Sequence, residues 1–421
     1  MSCFRACMVW VLLPFGTSLP AQAVNWEAAP IQYSDSKATR NGVAKLKADL
    51  ESGQRELSGE DELSRLRSLL EQLNVPVSSQ TLVFSKTSLQ KPHISPETPR
   101  AIYFNDEIFV GYVQGGEIEI AAADPDLGTV FYTMELAFDQ PPRLQRQANR
   151  CLSCHGGSRT GGIPGFQVRS VYPNAKGVPV IRAGSHLTNQ RSPLAERWGG
   201  WYVTGTHGDQ HHLGGFILEG KRRPEIIENA GGENQPSLPP RVDQQQYLVA
   251  TSDITALMVM EHQIEAYNLL TKANFAAQHA EWEAGDDPVS ESHRERIAKA
   301  TRPLVACLCF DNEFEIQAPI RGTSHFASEF EARKVADPNA PSLRKLNLQS
   351  RLFNSPLSFL VTTQTFAESP DALHDELAKQ IWHRFANDQP FTATLREIGP
   401  AWLTERYESP QTLLSTSSSS H

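Results

Sequence analysis

The stretch Cys151-Leu152-Ser153-Cys154-His155 organises the interpretation of the whole chain. Two cysteines three positions apart lie one turn apart on an α-helix, so their thiols share a face. A histidine follows the second cysteine directly, which puts an imidazole ring beside the two thiols. The stretch therefore predicts a short helix that presents two thiols and one imidazole to the same neighbouring group.

This arrangement is typical of the covalent attachment of c-type haem. Each thiol can form a thioether bond with one of the two vinyl groups on one edge of the porphyrin, and the next residue can reach under the ring. We therefore expect Cys151 and Cys154 to bind one haem c covalently and His155 to be the proximal iron ligand.

The segment Arg150–Gly157 resembles the haem attachment site of the c-type cytochromes. The wider chain is similar to large bacterial cytochrome c domain proteins with a single Cys-x-x-Cys-His site, and this resemblance covers most of the chain. It is carried by the segments Val83–Ser88, Arg197–Val203 and Ala256–Gln263. The resemblance implies an exported haem protein and names no substrate.

Two other uses of the cysteine pair remain open. The pair can be half of a structural zinc site, for which Cys307 and Cys309 would supply the other thiolates. It can also be a redox dithiol or a disulfide, although no strand of a βαβ unit precedes it. The adjacent histidine and an export signal favour haem over both.

Residues 1–23 have the pattern of a secretory signal. Arg5 gives a positive start, Met8 to Phe15 is a short apolar run, and Ala21-Gln22-Ala23 is a small-residue cleavage site. No later segment is long and apolar enough to span a bilayer. We therefore expect an exported, periplasmic protein without a membrane span.

The composition is that of an ordinary globular protein, with 39% hydrophobic and 21% charged residues. A net charge of -9 argues against a nucleic-acid partner and favours a redox partner protein with a basic face.

Removal of the signal leaves four cysteines, too few for a disulfide framework. In Val305–Phe310 the thiols of Cys307 and Cys309 alternate as on a buried strand, which favours core packing over metal binding.

The periodicity of the chain predicts an α+β fold that is mainly helical, with a β-rich N-terminal part and a helical C-terminal part around one c-type haem. Short β-rich runs separated by turn-forming residues predict an antiparallel meander between Thr81 and Leu136. The predicted divisions are a helical pair plus β meander (24–140), a haem-attachment region (141–246), a helical C-terminal region (247–410) and a disordered tail (411–421).

Two segments beside the haem motif carry candidate groups. Gln145–Arg150 is predicted to enter the haem site as a helix, and its arginines would pair with haem propionates or lie in solvent. The glycine-rich stretch Arg197 to Gly215 predicts a structured loop in which His207 is a candidate iron ligand.

The polar segment 219–246 is predicted to be a surface linker and the best domain boundary.

The longest predicted helix runs from Ile254 to about Ala284, with Asp253 as its N-cap. Met258 and His262 are four residues apart and share one face, whereas Met260 points to a roughly opposite face. A distal haem ligand is usually methionine or histidine, so we expect His155 and His262 to be the iron ligands, with Met258 as the next candidate. Core packing is the alternative for both side chains.

These observations predict an exported mono-haem c-type cytochrome that acts in electron transfer. The alternative is a peroxidase-like haem oxidoreductase with an open distal position, in which a group such as His207 assists proton transfer. A cysteine-ligated zinc protein is a more remote alternative. The sequence does not decide whether the protein is an enzyme.

Overall fold

A computed structural model describes residues 25–35, 39–136, 138–333 and 341–406 of the 421-residue chain. The predicted signal sequence and C-terminal tail lie outside these residues. The helices are α1 (Gly42–Glu51), α2 (Glu62–Gln72), α3 (Asn149–His155), α4 (Ile254–Ala284), α5 (Glu291–Leu308), α6 (Phe326–Ala332), α7 (Gln364–Ala367), α8 (Asp371–Phe385), α9 (Gln389–Ile398) and α10 (Ala401–Thr404).

The strands are short and lie mainly in the first half of the chain. They are β1 (Thr81–Val83), β2 (Arg100–Phe104), β3 (Ile108–Tyr112), β4 (Ile118–Asp124), β5 (Gly128–Met134), β6 (Gln145–Arg146), β7 (Arg169–Val171), β8 (Ser185–Leu187), β9 (Trp201–Tyr202), β10 (Gly205–Thr206) and β11 (Arg321–Gly322). Of the residues that the structure describes, 37% are helical and 13% are in strands, so the fold is mixed and contains more helix than strand.

Seven strands form one antiparallel sheet in the order β6-β5-β4-β3-β2-β1-β9. The predicted meander between Thr81 and Leu136 is confirmed, because β1 to β5 follow one another as neighbours. The register pairs Phe109 with Ala121 and Ala121 with Phe131. Strand β9 comes from the predicted haem-attachment region, so this region is built into the sheet.

The two faces of the sheet pack against different helices. On one face, Val110 and Ile120 lie in a core with Leu66 and Leu69 of α2. On the other face, Phe104 and Phe109 belong to a second core that contains α4 and the C-terminal helices. Alternation along each strand produces this division, because successive side chains point to opposite faces.

Helix α4 has the predicted bounds and the predicted N-cap. Asp253 Oδ1 accepts hydrogen bonds from the backbone N–H groups of Thr255 and Ala256 at 2.8 and 3.2 Å. The helix is buried on more than one side, between the sheet, α5 and α8. It therefore forms the centre of the molecule, as helices without a polar face do.

Three local predictions are wrong. Val305–Phe310 is the end of α5 and not a strand, with Cys307 in the last turn and Cys309 at the C-cap. The helix of the haem motif begins only at Asn149, because Gln145–Arg146 forms the edge strand β6. Segment 219–246 is not simply a surface excursion, since Leu238 and Val242 are buried in the core under the sheet.

In the described part of the chain, no helix is long and apolar enough to cross a bilayer.

Candidate functional site

A cavity lies between the sheet, α3, the segment after α3 and one face of α4. Its volume is about 1260 Å³, including the part that is open to solvent. Because of the strand register, and because side chains alternate along each strand, one row of the side chains that line the cavity lies on one face of the sheet. That row consists of Val83, Arg100, Ile102, Phe109, Gly111, Glu119, Ala121, Phe131 and Trp201.

The cavity is lined by the two thiols and the imidazole of the central motif, from Cys151, Cys154 and His155. Helix α3 is anchored by Leu152, which is buried in the sheet core, and its thiols are free. Cys151 is partly buried and Cys154 is exposed. Burial raises the pKa of the Cys151 thiol to about 11, so this thiol is protonated at neutral pH.

His155 is oriented by a hydrogen bond from Nδ1 to the carbonyl oxygen of Gly165, at 2.9 Å. This bond makes Nδ1 the protonated nitrogen and leaves the Nε2 lone pair for a ligand. The ring packs against Phe131, with 4.8 Å between ring centroids. Burial lowers the pKa of His155, which favours the neutral imidazole that binds metals.

The position of the Gly165 carbonyl is itself fixed from α4. Asn268 accepts from the backbone N–H of Phe166 at 2.8 Å and donates to the Phe166 carbonyl at 2.9 Å. A Cβ atom on Gly165 would lie 2.5 Å from Asn268 Oδ1, so glycine is required for this close approach. Hydrogen bonds thus connect His155 of α3 to residues 165–166, and these residues to the long helix α4.

An ion pair lies inside the cavity, on the sheet wall. Arg100 of β2 reaches across β3 to Glu119 of β4, with 2.8 Å between Nη2 and Oε2. Both side chains are more than four-fifths buried, at 17% and 18% exposure. The hydroxyl of Ser88 also donates to Glu119, at 3.0 Å.

Arg159 and Arg169 also line the cavity. Burial and, less strongly, the like charge of Arg159 lower the pKa of Arg169. The arginines proposed from the sequence have other partners. Arg146 bonds the main-chain carbonyls of Tyr33 and Asp35, and Arg150 pairs with Glu117.

The face of α4 that meets the cavity carries Met260 and Ile264. These residues are four positions apart, as Met258 and His262 are, but they occupy a different face of the helix. Met258 is buried in the core and does not line the cavity.

The structure does not bring His262 to the cavity. His262 Nδ1 donates to the amide oxygen of Gln190, and Nε2 accepts from the hydroxyl of Ser358 at 2.7 Å. The rings of Phe310 and Phe353 lie 4.9 and 5.8 Å from its own ring. Both nitrogens are therefore occupied within the C-terminal core, and burial lowers the pKa of His262 to about 3.

His207 also lies apart from the cavity. Its Nε2 accepts from the backbone N–H of Asn234 at 3.1 Å, and its ring packs 4.6 Å from His212.

A four-cysteine zinc site is likewise not assembled, because Cys307 and Cys309 are buried in the helical core. In the ranges that the structure describes, no three His, Cys, Asp or Glu side chains converge to hold a metal ion.

Sequence reasoning identified Cys151, Cys154 and His155 but missed the other groups that share their cavity. Arg100 and Glu119 lie on β-strands, 51 and 32 residues before Cys151, and only the strand register brings them together. The available signal was a charged residue, Arg100 on β2 and Glu119 on β4, among the mostly apolar residues of that face of the sheet.

Comparisons with family models, with curated proteins and with solved structures found no match.

Proposed function

We propose that the protein is an exported mono-haem c-type cytochrome that acts in electron transfer. The observation that carries this proposal is the meeting of Cys151, Cys154 and the oriented ring of His155 in one cavity. The two thiols would hold the haem covalently, and His155 would bind the iron through Nε2.

The other lining residues suit a haem. Side chains such as Ile102, Phe109 and Ile264 give the cavity an apolar surface for a flat macrocycle. The lining contains three arginines and one glutamate, a net charge of +2 that is opposite in sign to the two propionates of a haem.

A bound haem would supply iron that takes up and releases one electron. The chain would hold His155 neutral and fixed through Gly165, so that little rearrangement accompanies the change of charge. Met260 would be the second residue to bind the iron, because its thioether side chain lies on the cavity wall. This proposal replaces His262 and Met258 in that role.

One observation favours a haem-dependent oxidoreductase as the second candidate. The Arg100–Glu119 pair places a carboxylate and a guanidinium within the cavity, where Glu119 could accept or return a proton. This role requires that Met260 leaves the iron open to a small molecule. Whether Met260 binds the iron therefore decides between electron transfer and the oxidoreductase.

Export and a redox partner remain parts of the proposal. Residues 1–23 support passage to the periplasm, where haem would be attached. The partner would be a redox protein that approaches the open side of the cavity, next to the exposed Cys154.

The test is to produce the full chain in a host with haem-attachment machinery and to stain a denaturing gel for haem. We expect covalent staining and a low-spin, six-coordinate optical spectrum in both oxidation states. A high-spin iron that binds carbon monoxide readily would favour the oxidoreductase. A purified chain without any haem band would overturn both candidates.

A further inference from the structure

A small cluster of buried side chains lies apart from the two main cores. It consists of Tyr172, Ala183, Leu213 and Leu218, against which Val180, Phe216 and Ile227 pack. Two segments of the chain build this cluster, and the backbone N–H of Leu218 in the second donates to the carbonyl of Pro173 in the first at 2.7 Å. We call residues 169–187 and 213–227 the satellite lobe, which includes the pair β7 and β8.

The satellite lobe exposes aliphatic side chains to water. Ile181 is 91% exposed and Ile226 is 78% exposed, more than any other large hydrophobic side chain that the structure describes. Each is next in sequence to a residue that packs against the cluster, so both are held at the surface of the lobe. Val178 and Leu187 of the same lobe are also exposed. Transfer of such side chains to an apolar phase is favourable.

The satellite lobe is also basic, in a chain whose net charge is -9. Residues 140–195 contain no aspartate or glutamate. The lobe as a whole has six Lys or Arg residues and two Glu residues, which gives a net charge of +4 with histidine neutral. None of the six forms an ion pair with a residue that the structure describes. They are Arg169, Lys176, Arg182, Lys221, Arg222 and Arg223.

The basic and aliphatic groups lie close together in the lobe. Arg182 directly follows Ile181, and the run Lys221–Arg223 ends three residues before Ile226. The guanidinium of Arg223 lies over the ring of Tyr172 in the cluster, 5.6 Å from its centroid. Both exposed isoleucines therefore have cationic neighbours on the same lobe.

This combination fits a bilayer surface better than a protein surface. A specific protein interface has a shaped apolar core that is enriched in aromatic residues, whereas the large hydrophobic residues exposed on the lobe are all aliphatic. Aliphatic side chains can enter the interfacial layer of a bilayer without a matching shape. Anionic headgroups attract lysine and arginine at that surface.

We propose that the satellite lobe docks the protein on the surface of a membrane that contains anionic lipids. Ile181 and Ile226 enter the boundary between headgroups and acyl chains, while Arg182 and Arg222 bind lipid phosphates. Arg169 of β7 lines the cavity, so docking holds the cavity near the bilayer. The proposal goes beyond the proposed function, because no step of it requires haem.

The test is co-sedimentation of the purified full chain with vesicles. One set contains equal parts of phosphatidylglycerol and phosphatidylcholine, and the other contains phosphatidylcholine alone. We expect binding to the first set, and at least about tenfold weaker binding to the second set or at high ionic strength. The double variants Ile181→Ser/Ile226→Ser and Arg182→Gln/Arg222→Gln should each bind the anionic vesicles at least about tenfold more weakly.

Two control variants lie outside the satellite lobe. Trp282→Ser removes an exposed apolar side chain from α4, and Arg294→Gln/Arg296→Gln removes two positive charges from α5. Both should bind like the wild type. All of these proteins share one N-terminus, so any contribution of residues 1–23 cancels in the comparison.

Lobe variants that bind the anionic vesicles as tightly as the controls would overturn the proposal. Binding of poly-glutamate by the wild type, without binding of either vesicle, would assign the lobe to an acidic protein and would overturn it too. Haem staining of the same samples reports separately on the proposed function.

Discussion

Asn268 on α4 holds both main-chain polar groups of Phe166, with hydrogen bonds of 2.8 and 2.9 Å. The preceding residue, Gly165, accepts the hydrogen bond that orients His155. One amide side chain therefore connects the long central helix to the imidazole of the central motif. The wall of the cavity and its candidate iron ligand are parts of the same packed unit.

Replacement of Asn268 by Ala should lower the free energy of unfolding by about 2–4 kcal/mol, because two partly buried backbone groups lose their hydrogen-bond partner. Urea unfolding monitored by circular dichroism measures this change. Gln278→Ala is the control on the same helix, since Gln278 bonds the carbonyl of Asp126 from a partly exposed position. Equal losses in the two variants would show that Asn268 has no special supporting role.

Replacement of both Cys151 and Cys154 by Ala should abolish covalent haem staining, because no thiol then lines the cavity to form a thioether. Cys307→Ala should leave the staining intact, since Cys307 is buried in the C-terminal core. Haem staining after denaturing electrophoresis provides the measurement. Undiminished staining of the double variant would exclude these thiols as the attachment points.

Met260→Leu should convert the iron from low to high spin, because leucine keeps the volume but removes the sulfur. Met258→Leu is the matched control and should keep the wild-type spectrum, since Met258 does not line the cavity. Resonance Raman spectroscopy of the oxidised protein distinguishes the two spin states. A low-spin spectrum in Met260→Leu would remove Met260 as the second ligand.

His262 should make stability depend on pH. The unfolded imidazole binds a proton below about pH 6.5, whereas the buried one stays neutral down to about pH 3. The stabilisation is complete above pH 6.5 and declines as the pH falls toward 3. Between pH 7 and 5.5 this histidine should cost about 1.4 kcal/mol of unfolding free energy.

Urea unfolding of the wild type, His262→Gln and the exposed-site control His211→Gln at both pH values checks this expectation. The His262 variant should lose less stability on acidification than the other two proteins. The same loss in all three would assign the pH dependence to other groups.

The local part of the site was predictable because its chemistry is local. The spacing of Cys151, Cys154 and His155 fits within two turns of one helix, and the structure forms that helix at Asn149–His155. The bounds of α4 followed from Asp253 and a long periodic run. The meander followed from alternating runs separated by turn residues.

The face of α4 that meets the cavity was not predictable. The helix is buried on several sides, so apolar residues such as Met258, Met260 and Ile264 appear on more than one face. Periodicity then identifies a buried helix but not its neighbours. For the same reason His262, assigned to the iron, proved to be a polar group of the C-terminal core.

The strand predicted at Val305–Phe310 failed for a related reason. Six apolar residues are too few to distinguish the strand period of 2.0 residues from the helix period of 3.6 residues. Both periods allow the side chains of Cys307 and Cys309 to be buried. Helix α5 continues through Pro303 and includes Cys307. The predicted packing role of the cysteine pair agrees with the burial of both side chains.

Chain order has a consequence for the assembly of the cavity. Helix α3 ends about a hundred residues before Met260 and Ile264, which form the opposite wall. During synthesis from the N-terminus, the thiols and the first five strands exist before α4 does. Until α4 packs against the sheet, the cavity is open on that side, so the proposed haem, a large rigid molecule, could enter sideways before α4 closes over it.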